Sequence, residues 1–229
     1  MSSHRTRIKI CGIKRVEDAV YAANAGADAI GMIFYAASPR ALTLDDALHI
    51  RDALPPFVAT VALFVNAEEK NVHGICEKLQ PTVLQFHGEE SPEFCARFGR
   101  PYIKSFAVNA GTTRADLLQS QREFRVNKTG IARAKAMLLD TDVGGQSGGT
   151  GKAFDWAVIP AEMRAEVVLA GGLNPQNIGL AVASIRPWAV DVSSGVEKVD
   201  ANGIAQKGVK DHHKIKAFIE AVRLADQGI

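Results

Sequence analysis

Apolar residues in this chain come in short runs rich in Val, Ile, Leu and Ala, and each run gives way to a more polar stretch where apolar residues recur at helical spacing. Such alternation predicts repeated βα units around a parallel sheet. About eight strands are expected: RIKIC at 7–11, AIGMIF at 29–34, ATVALF at 59–64, TVLQFH at 82–87, YIKSF at 102–106, AMLLD at 136–140, EVVLA at 166–170 and AVDVS at 189–193. The helices expected between them include VEDAVYAANAG, closing on Gly26, LTLDDALHIRDAL, running up to Pro55, and NPQNIGLAVASI, with Pro175 just inside its start. A last helix begins near Asp211. Eight units in 229 residues fit a (β/α)8 TIM barrel, an α/β fold in which residues 1–229 form a single domain. A doubly wound open sheet would have fewer strands and a glycine-rich turn after the first, where this chain has CGIKR. The one long connection, from Arg114 to Lys135, carries Arg114, Arg122, Arg125, Lys128, Arg133 and Lys135 against Asp116 and Glu123. It leads into a strand, on the barrel face that serves stability, so its charge reads as a solvated surface.

Composition narrows the class of partner. Lys and Arg number 27 against 25 Asp and Glu, a formal charge of +2, and so small an excess provides no field for steering nucleic acid or an anionic membrane. An anion would have to be met by a local site. The opening MSSHRTRIKICG lacks the apolar segment of a signal peptide, and no run approaches the ~20 apolar residues that span a bilayer. The expectation is a soluble, cytoplasmic protein. Cys11, Cys76 and Cys95 are widely spaced, odd in number and outside any CxxC. Neither a disulfide framework nor a zinc cluster is indicated, and all three are expected as reduced thiols.

In a barrel of this kind, reactive groups stand at the C-terminal ends of strands and on the loops that follow. Those positions hold Cys11 after the first strand, Arg40 after the second, Asn66 after the third, Gln85 and His87 at the fourth, Asp140 at the sixth and Asp191 within the eighth. Most cysteines are small buried hydrophobes, and Cys76 and Cys95, inside helical patterns, are read that way. Cys11 differs, because it ends a strand at the substrate face and is followed by Gly12, which permits close backbone approach. It is a candidate nucleophile or base. Asp140 closes AMLLD over a barrel core, where desolvation favours the proton-bearing form suited to a general acid; the plainer alternative is a carboxylate capping the loop at Thr141 or Asp142.

Two loops suit phosphate. AGGLNP after the seventh strand holds Gly171 and Gly172, and SSGVE after the eighth holds Ser193, Ser194 and Gly195; barrels bind phosphate there on backbone N–H groups and helix N-termini. The stretch GGQSGGTGK at 144–152 is not an ATP-binding P-loop, which would need glycine at Gln146 and Ser or Thr at Ala153. Following the sixth strand, it suits a segment that folds over a site, with Lys152 on a ligand or in solvent. His87 has no second strand-end histidine beside it, which argues against a His/Asp metal cluster and leaves it a structural or orienting role. The adjacent His212 and His213 would point about 100° apart on a helix and do not chelate. Arg40 suits a carboxylate or phosphate partner.

Taken together, KICGIKRVEDA at 9–19, GADAIGMIFYAASPR at 26–40, LFVN at 63–66, LQFHGEE at 84–90, LLDT and GGTGKAFDW within 138–156, LAGGLNPQNI at 169–178, DVSSGVE at 191–197 and GVKDHHKIKAFIEAV at 208–222 resemble the phosphoribosylanthranilate isomerase family. The resemblance spans nearly the whole chain, departing at the N-terminus and in the basic connection near 111–134. It implies a (β/α)8 fold, no metal or other cofactor, and a monomer or homodimer. It also implies an Amadori rearrangement of N-(5-phosphoribosyl)anthranilate to 1-(2-carboxyphenylamino)-1-deoxyribulose 5-phosphate in tryptophan biosynthesis. On this resemblance Asp140 is the acid that protonates the ribose ring oxygen, and Cys11 is the base that takes the C2 proton of the Schiff base. Gly171, Gly172, Ser194 and Gly195 would hold the 5-phosphate, Arg40 would face the anthranilate carboxylate, and Asp191 would contact substrate or be a buried polar residue satisfied by neighbours. A thiol of ordinary pKa, about 8.5, is mostly protonated at neutral pH. The nearest cations in sequence are Lys9 and Lys14. Two other readings compete: the related barrel isomerase of histidine synthesis, disfavoured by a cysteine where that family has an aspartate, and a non-catalytic phosphate-binding barrel, disfavoured by Cys11 and Asp140 occurring together.

Overall fold

The computed structural model describes residues 5–125, 133–143, 146–147 and 154–228. Eight parallel strands close on one another: β1 Arg7–Cys11, β2 Ala29–Ile33, β3 Ala59–Phe64, β4 Val83–Phe86, β5 Tyr102–Val108, β6 Ala136–Val143, β7 Val167–Leu169 and β8 Ala189–Val192. Each pairs with the next, and β8 returns to β1 with Lys9 opposite Asp191, so the sheet is the α/β TIM barrel that the sequence predicts. Past the rim, Gln146–Ser147 pairs antiparallel with the end of β6.

Strand alternation sends successive side chains to opposite faces. Ile8, Ile10, Ile30, Met32, Leu84, Phe86, Val190 and Val192 pack outward into the main core beneath the helices. Inside the barrel, Ile103, Ala136, Leu138, Val168, Ala170 and Ala189 form one small apolar cluster, and Cys11, Ile33 and Leu63 form another. Of the remaining buried inward positions Val61 is apolar, whereas Lys9, Gln85, Ser105, Asp140 and Asp191 are polar. Apolar packing closes the barrel interior low down and leaves chemistry at the mouth.

The helices are α1 Val16–Ala25, α2 Leu44–Ala53, α3 Glu69–Leu79, α4 Pro92–Ala96, α5 Arg114–Arg125, α6 Ile178–Ile185 and α7 His212–Gln227. Thr43 caps α2 by accepting from the N–H of Asp46, and Asp211 caps α7 by accepting from those of His213 and Lys214. Gly26, at φ 108°, ends α1. The C-terminal helix is tied back to the first strand, since Asp226 accepts from the Thr6 N–H at 2.9 Å and hydroxyl at 2.7 Å.

Four features differ from the sequence pattern. Among the described residues the sixth unit has no α-helix but two 3₁₀ turns, Trp156–Val158 and Ala161–Glu166; Pro160 between them removes a donor and holds Ile159 extended at ψ 116°. Pro175 lies in a turn ahead of α6, where Asn174 accepts from the N–H groups of Gln176 and Asn177. The basic connection begins as α5, which buries Leu117 and Phe124, so it is not solvated surface alone; Lys128 lies outside the described residues. Finally, a hairpin follows the eighth strand, β9 Glu197–Val199 against β10 Ala205–Lys210. Its turn is built by Asp200, which accepts from Asn202 and Ile204. The glycine-rich stretch, apart from Gln146–Ser147, falls outside the described residues, as does Lys152. Among the described residues no helix is long and apolar enough to cross a membrane.

Candidate active site

The C-terminal ends of the strands open into a cavity of about 590 Å³ lined by Cys11, Arg40, Asp140, Gly171, Gly172, Asp191 and Ser194, together with Gln85, His87 and Ser193. Seven of the eight residues expected from the sequence therefore meet at one place. The eighth, Gly195, sits behind the lining: a Cβ added there would fall on the main chain of Leu173, so its bare α-carbon is what lets the loops after β7 and β8 mate. Gly12, at φ 68°, plays a similar part at the end of the neighbouring strand β1, because a Cβ there would lie 2.6 Å from Cδ of Arg40.

Each carboxylate of the cavity is half engaged. Asp191 accepts from Nζ of Lys9 at 2.8 Å through Oδ2, with both side chains buried. Oδ2 of Asp140 lies 3.4 Å from Nε2 of His87, whose Nδ1 is 3.1 Å from Nε2 of Gln85. Among the described residues, Oδ1 of Asp140 and Oδ1 of Asp191 are buried with no hydrogen-bond partner. Buried carboxylate oxygens are costly to leave unpaired, so these two mark where ligand O–H groups would donate. No group of His, Cys, Asp and Glu suited to hold a metal occurs among the described residues. His212 stacks on Tyr21 and contacts Asp18 at 3.0 Å, while His213 is exposed, so the pair is split as its helical spacing predicts.

Ion pairs and hydrogen bonds brace one side of the cavity. Arg40 donates through Nε and Nη2 to Glu197, at 2.6 and 2.8 Å, leaving its other N–H groups toward the cavity it lines. Glu197, fully buried, also accepts from the N–H of Gly208 at 2.8 Å and from Nζ of Lys210 at 3.3 Å. Burial pushes the Glu197 carboxyl up, but Arg40, Lys210 and the Gly208 N–H outweigh it and hold the group below the usual carboxylate range. Burial pulls the Lys210 ammonium below the ordinary lysine value despite Glu197. At Cys11 burial pushes the thiol up, Asp191 adds to the rise, and Lys9 and Lys210 oppose it. Cys76 and Cys95 are buried free thiols within α3 and α4, the latter pushed up to about 12 mainly by burial.

Residues 8–221 match the family described as N-(5'phosphoribosyl)anthranilate (PRA) isomerase. The chain belongs to the phosphoribosylanthranilate isomerase family. The N-(5'-phosphoribosyl)anthranilate isomerase of Pseudomonas syringae pv. tomato is 50% identical over 216 residues, covering 94% of this chain and 97% of that protein. Among solved structures, the phosphoribosyl anthranilate isomerase of Thermotoga maritima superposes with a TM-score of 0.80 at 38% identity, covering 95% of this chain and 98% of the other. A phosphoribosyl anthranilate isomerase in complex with reduced 1-(o-carboxyphenylamino)-1-deoxyribulose 5-phosphate superposes at 0.77 with 36% identity, covering 95% and 98%. The protein is thus an isomerase of N-(5'-phosphoribosyl)anthranilate in tryptophan biosynthesis.

What sequence reasoning missed in this isomerase is the support beneath the named residues. Glu197 lay inside the quoted DVSSGVE, and Lys210 inside GVKDHH, but neither was assigned a partner. The available signal was Asn202-Gly203, a hairpin dipeptide that folds β10 back onto β9 and delivers Lys210 and Gly208 to Glu197. Breaking a buried ion pair on one side costs about 3–5 kcal/mol. Glu197→Gln is therefore expected to lower unfolding stability by about that much at pH 7, and to raise KM more than it lowers kcat. The sign of the pH effect follows from the depressed carboxyl: its contribution is full above the unfolded value of about 4.3 and disappears as pH falls through the lower folded value. Denaturant melts of the two proteins should converge in that acid range, and a constant gap down to pH 2 would contradict the assignment.

Proposed function

We propose that Cys11 and Asp140 carry the two proton transfers of the rearrangement, with the phosphate held between the loops after β7 and β8. The observation behind this is that one cavity joins a strand-end thiol on β1, a half-engaged carboxylate on β6, Arg40, and both glycine loops. Asp140 gives a proton to the ribose ring oxygen as the C1–O bond breaks, leaving a Schiff base at C1. Its electron demand acidifies the C2 proton, which passes to the Cys11 thiolate; the enolamine so formed takes a proton at C1 as its C2 hydroxyl gives one up, and becomes the ketone. The reaction is an internal aldose-to-ketose oxidoreduction, in which the residues named supply acid, base and binding.

Ser194 opens a 3₁₀ turn over Ser194–Val196, whose first N–H groups have no partner within the turn and suit a phosphate. Gly171 and Gly172, at φ 80° and 65°, form the facing loop. Arg40, oriented by Glu197, presents its free edge to the anthranilate carboxylate, and Oδ1 of Asp191 accepts a sugar hydroxyl. The bound product analogue of the solved relative is of the same class, a phosphorylated carboxyphenylamino sugar. Residues 1–229 act as a single catalytic domain in the cytoplasm, as a monomer or homodimer, since each named group comes from one chain, without nucleic acid or membrane as partner. Incubation with phosphoribosylanthranilate should abolish its fluorescence at a rate proportional to enzyme. Decay no faster than the spontaneous loss of substrate would sink the reading.

A further inference from the structure

We propose that Lys9 is a positioning residue whose ammonium, clamped by Asp191, supports the negative charge of Cys11 when that thiol gives up its proton. The inference rests on Cys11 serving as the base.

Three observations carry it. First, the register of β1 on β8 sets Lys9 directly opposite Asp191, and the 2.8 Å contact anchors the ammonium inside the barrel mouth. Second, Lys9 and Cys11 are two residues apart on one strand and so share its inward face. Both lean over Gly31 of β2, the register partner of Cys11: a Cβ added to Gly31 would lie 2.7 Å from Sγ of Cys11 and 3.0 Å from Cε of Lys9. Third, Lys9 is 4% exposed and Asp191 8%, and a buried ion pair returns little stability compared with apolar side chains of similar volume. A lysine–aspartate pair among the valines and alanines of a barrel wall calls for a use.

The other charges around Cys11 are already committed. Arg40, on the loop after β2, is bound to Glu197, and Lys210, on β10, shares that carboxylate and the Ser193 carbonyl. Asp191 on β8 is the negative neighbour, and β2 and β3 contribute the apolar Ile33 and Leu63. Lys9 heads the influences that favour the thiolate, ahead of Lys210. Its own ammonium is opposed by burial, yet Asp191 and Cys11 together hold it above the ordinary lysine value. With Cys11 as a thiol the Lys9–Asp191 pair is neutral; with Cys11 as a thiolate the one cation stands between two anions.

The test reads thiol ionisation directly. Cys11 alkylation by iodoacetamide is followed against pH, with the Cys11 peptide quantified by mass spectrometry so that Cys76 and Cys95 do not interfere. Lys9→Met should move the midpoint up by about one unit or more, a tenfold loss of thiolate at a fixed lower pH. Asp191→Asn, which frees the ammonium from its other anion, should move it down. The acid limb of kcat/KM should shift with each midpoint. A folded Lys9→Met with an unmoved midpoint overturns the proposal, as does movement of both variants in one direction; if Lys9→Met does not fold, Lys9→Gln is read in its place by the same criterion. Failure of the Cys11 assignment has a separate signature, namely Cys11→Ser at near wild-type turnover, which leaves the alkylation result standing.

Discussion

Cys11→Ser and Asp140→Asn should each lower kcat/KM for phosphoribosylanthranilate by about 10²–10⁴-fold, the range of a lost general acid or base. The physical grounds differ. A serine hydroxyl fits the space that Cys11 occupies beside Ile33 and Leu63, but it is a far weaker acid than a thiol, so the fraction able to accept a C2 proton collapses. Asn at 140 keeps a hydrogen-bonding group next to His87 but cannot deliver a proton to the ring oxygen. On the proposed roles both groups serve one reaction, so the two losses should not add in the double variant. Steady-state kinetics on folded variants decides the matter, and either single variant working within about threefold of wild type removes that residue from its role. Because the two proton transfers are separate steps, a solvent or C2-deuterium isotope effect should change in a different way for each variant.

The second large effect is expected at Gly195. A valine there must displace the Leu173 main chain, pulling the loop after β7 away from the 3₁₀ turn after β8. Each charge-assisted hydrogen bond to the phosphate is worth about 1.5–3 kcal/mol, so losing two raises KM by at least about 100-fold. Inorganic phosphate is expected to compete with substrate for the same loops and should lose its inhibition in parallel, whereas kcat at saturation should fall much less. Where Gly195→Val does not fold, Ser194→Asp provides the same test by placing a carboxylate on the cavity wall at the proposed phosphate position. Undiminished inhibition by inorganic phosphate in either folded variant would place the anion elsewhere.

The eight strands were readable in sequence because each is a short β-branched or apolar run whose pattern depends on little beyond its own residues, and each lies within three residues of its expected ends. The segment after β6 was not, because Pro160 stands between the two 3₁₀ turns that take the place of a helix there, and one proline outweighs the pattern around it. The hairpin of β9 and β10 went unread for the opposite reason: its strands are short and mostly exposed, so they show no apolar run, and only the Asn202-Gly203 turn announces them.

A similar division runs through the site. Position at a strand end is a property of sequence order, and it was enough to bring Cys11, Arg40, Asp140, Asp191, Gly171, Gly172 and Ser194 to one cavity once the barrel closed. Partnership is not such a property. Lys9 and Asp191 are 182 residues apart and Arg40 and Glu197 are 157 apart; each meets its partner because closing β8 against β1 and folding the hairpin over the rim sets their register to within a single residue. The chain's own order of apolar runs, glycines and strand-end polar groups therefore determined the barrel and the membership of its mouth. Only the closed tertiary structure decided which charge faces which, because Coulomb and hydrogen-bond energies depend on ångström distances and burial that no local pattern encodes. That is why Lys9, ambiguous as a neighbour two residues along a strand, becomes in the folded barrel the buried cation between Asp191 and Cys11.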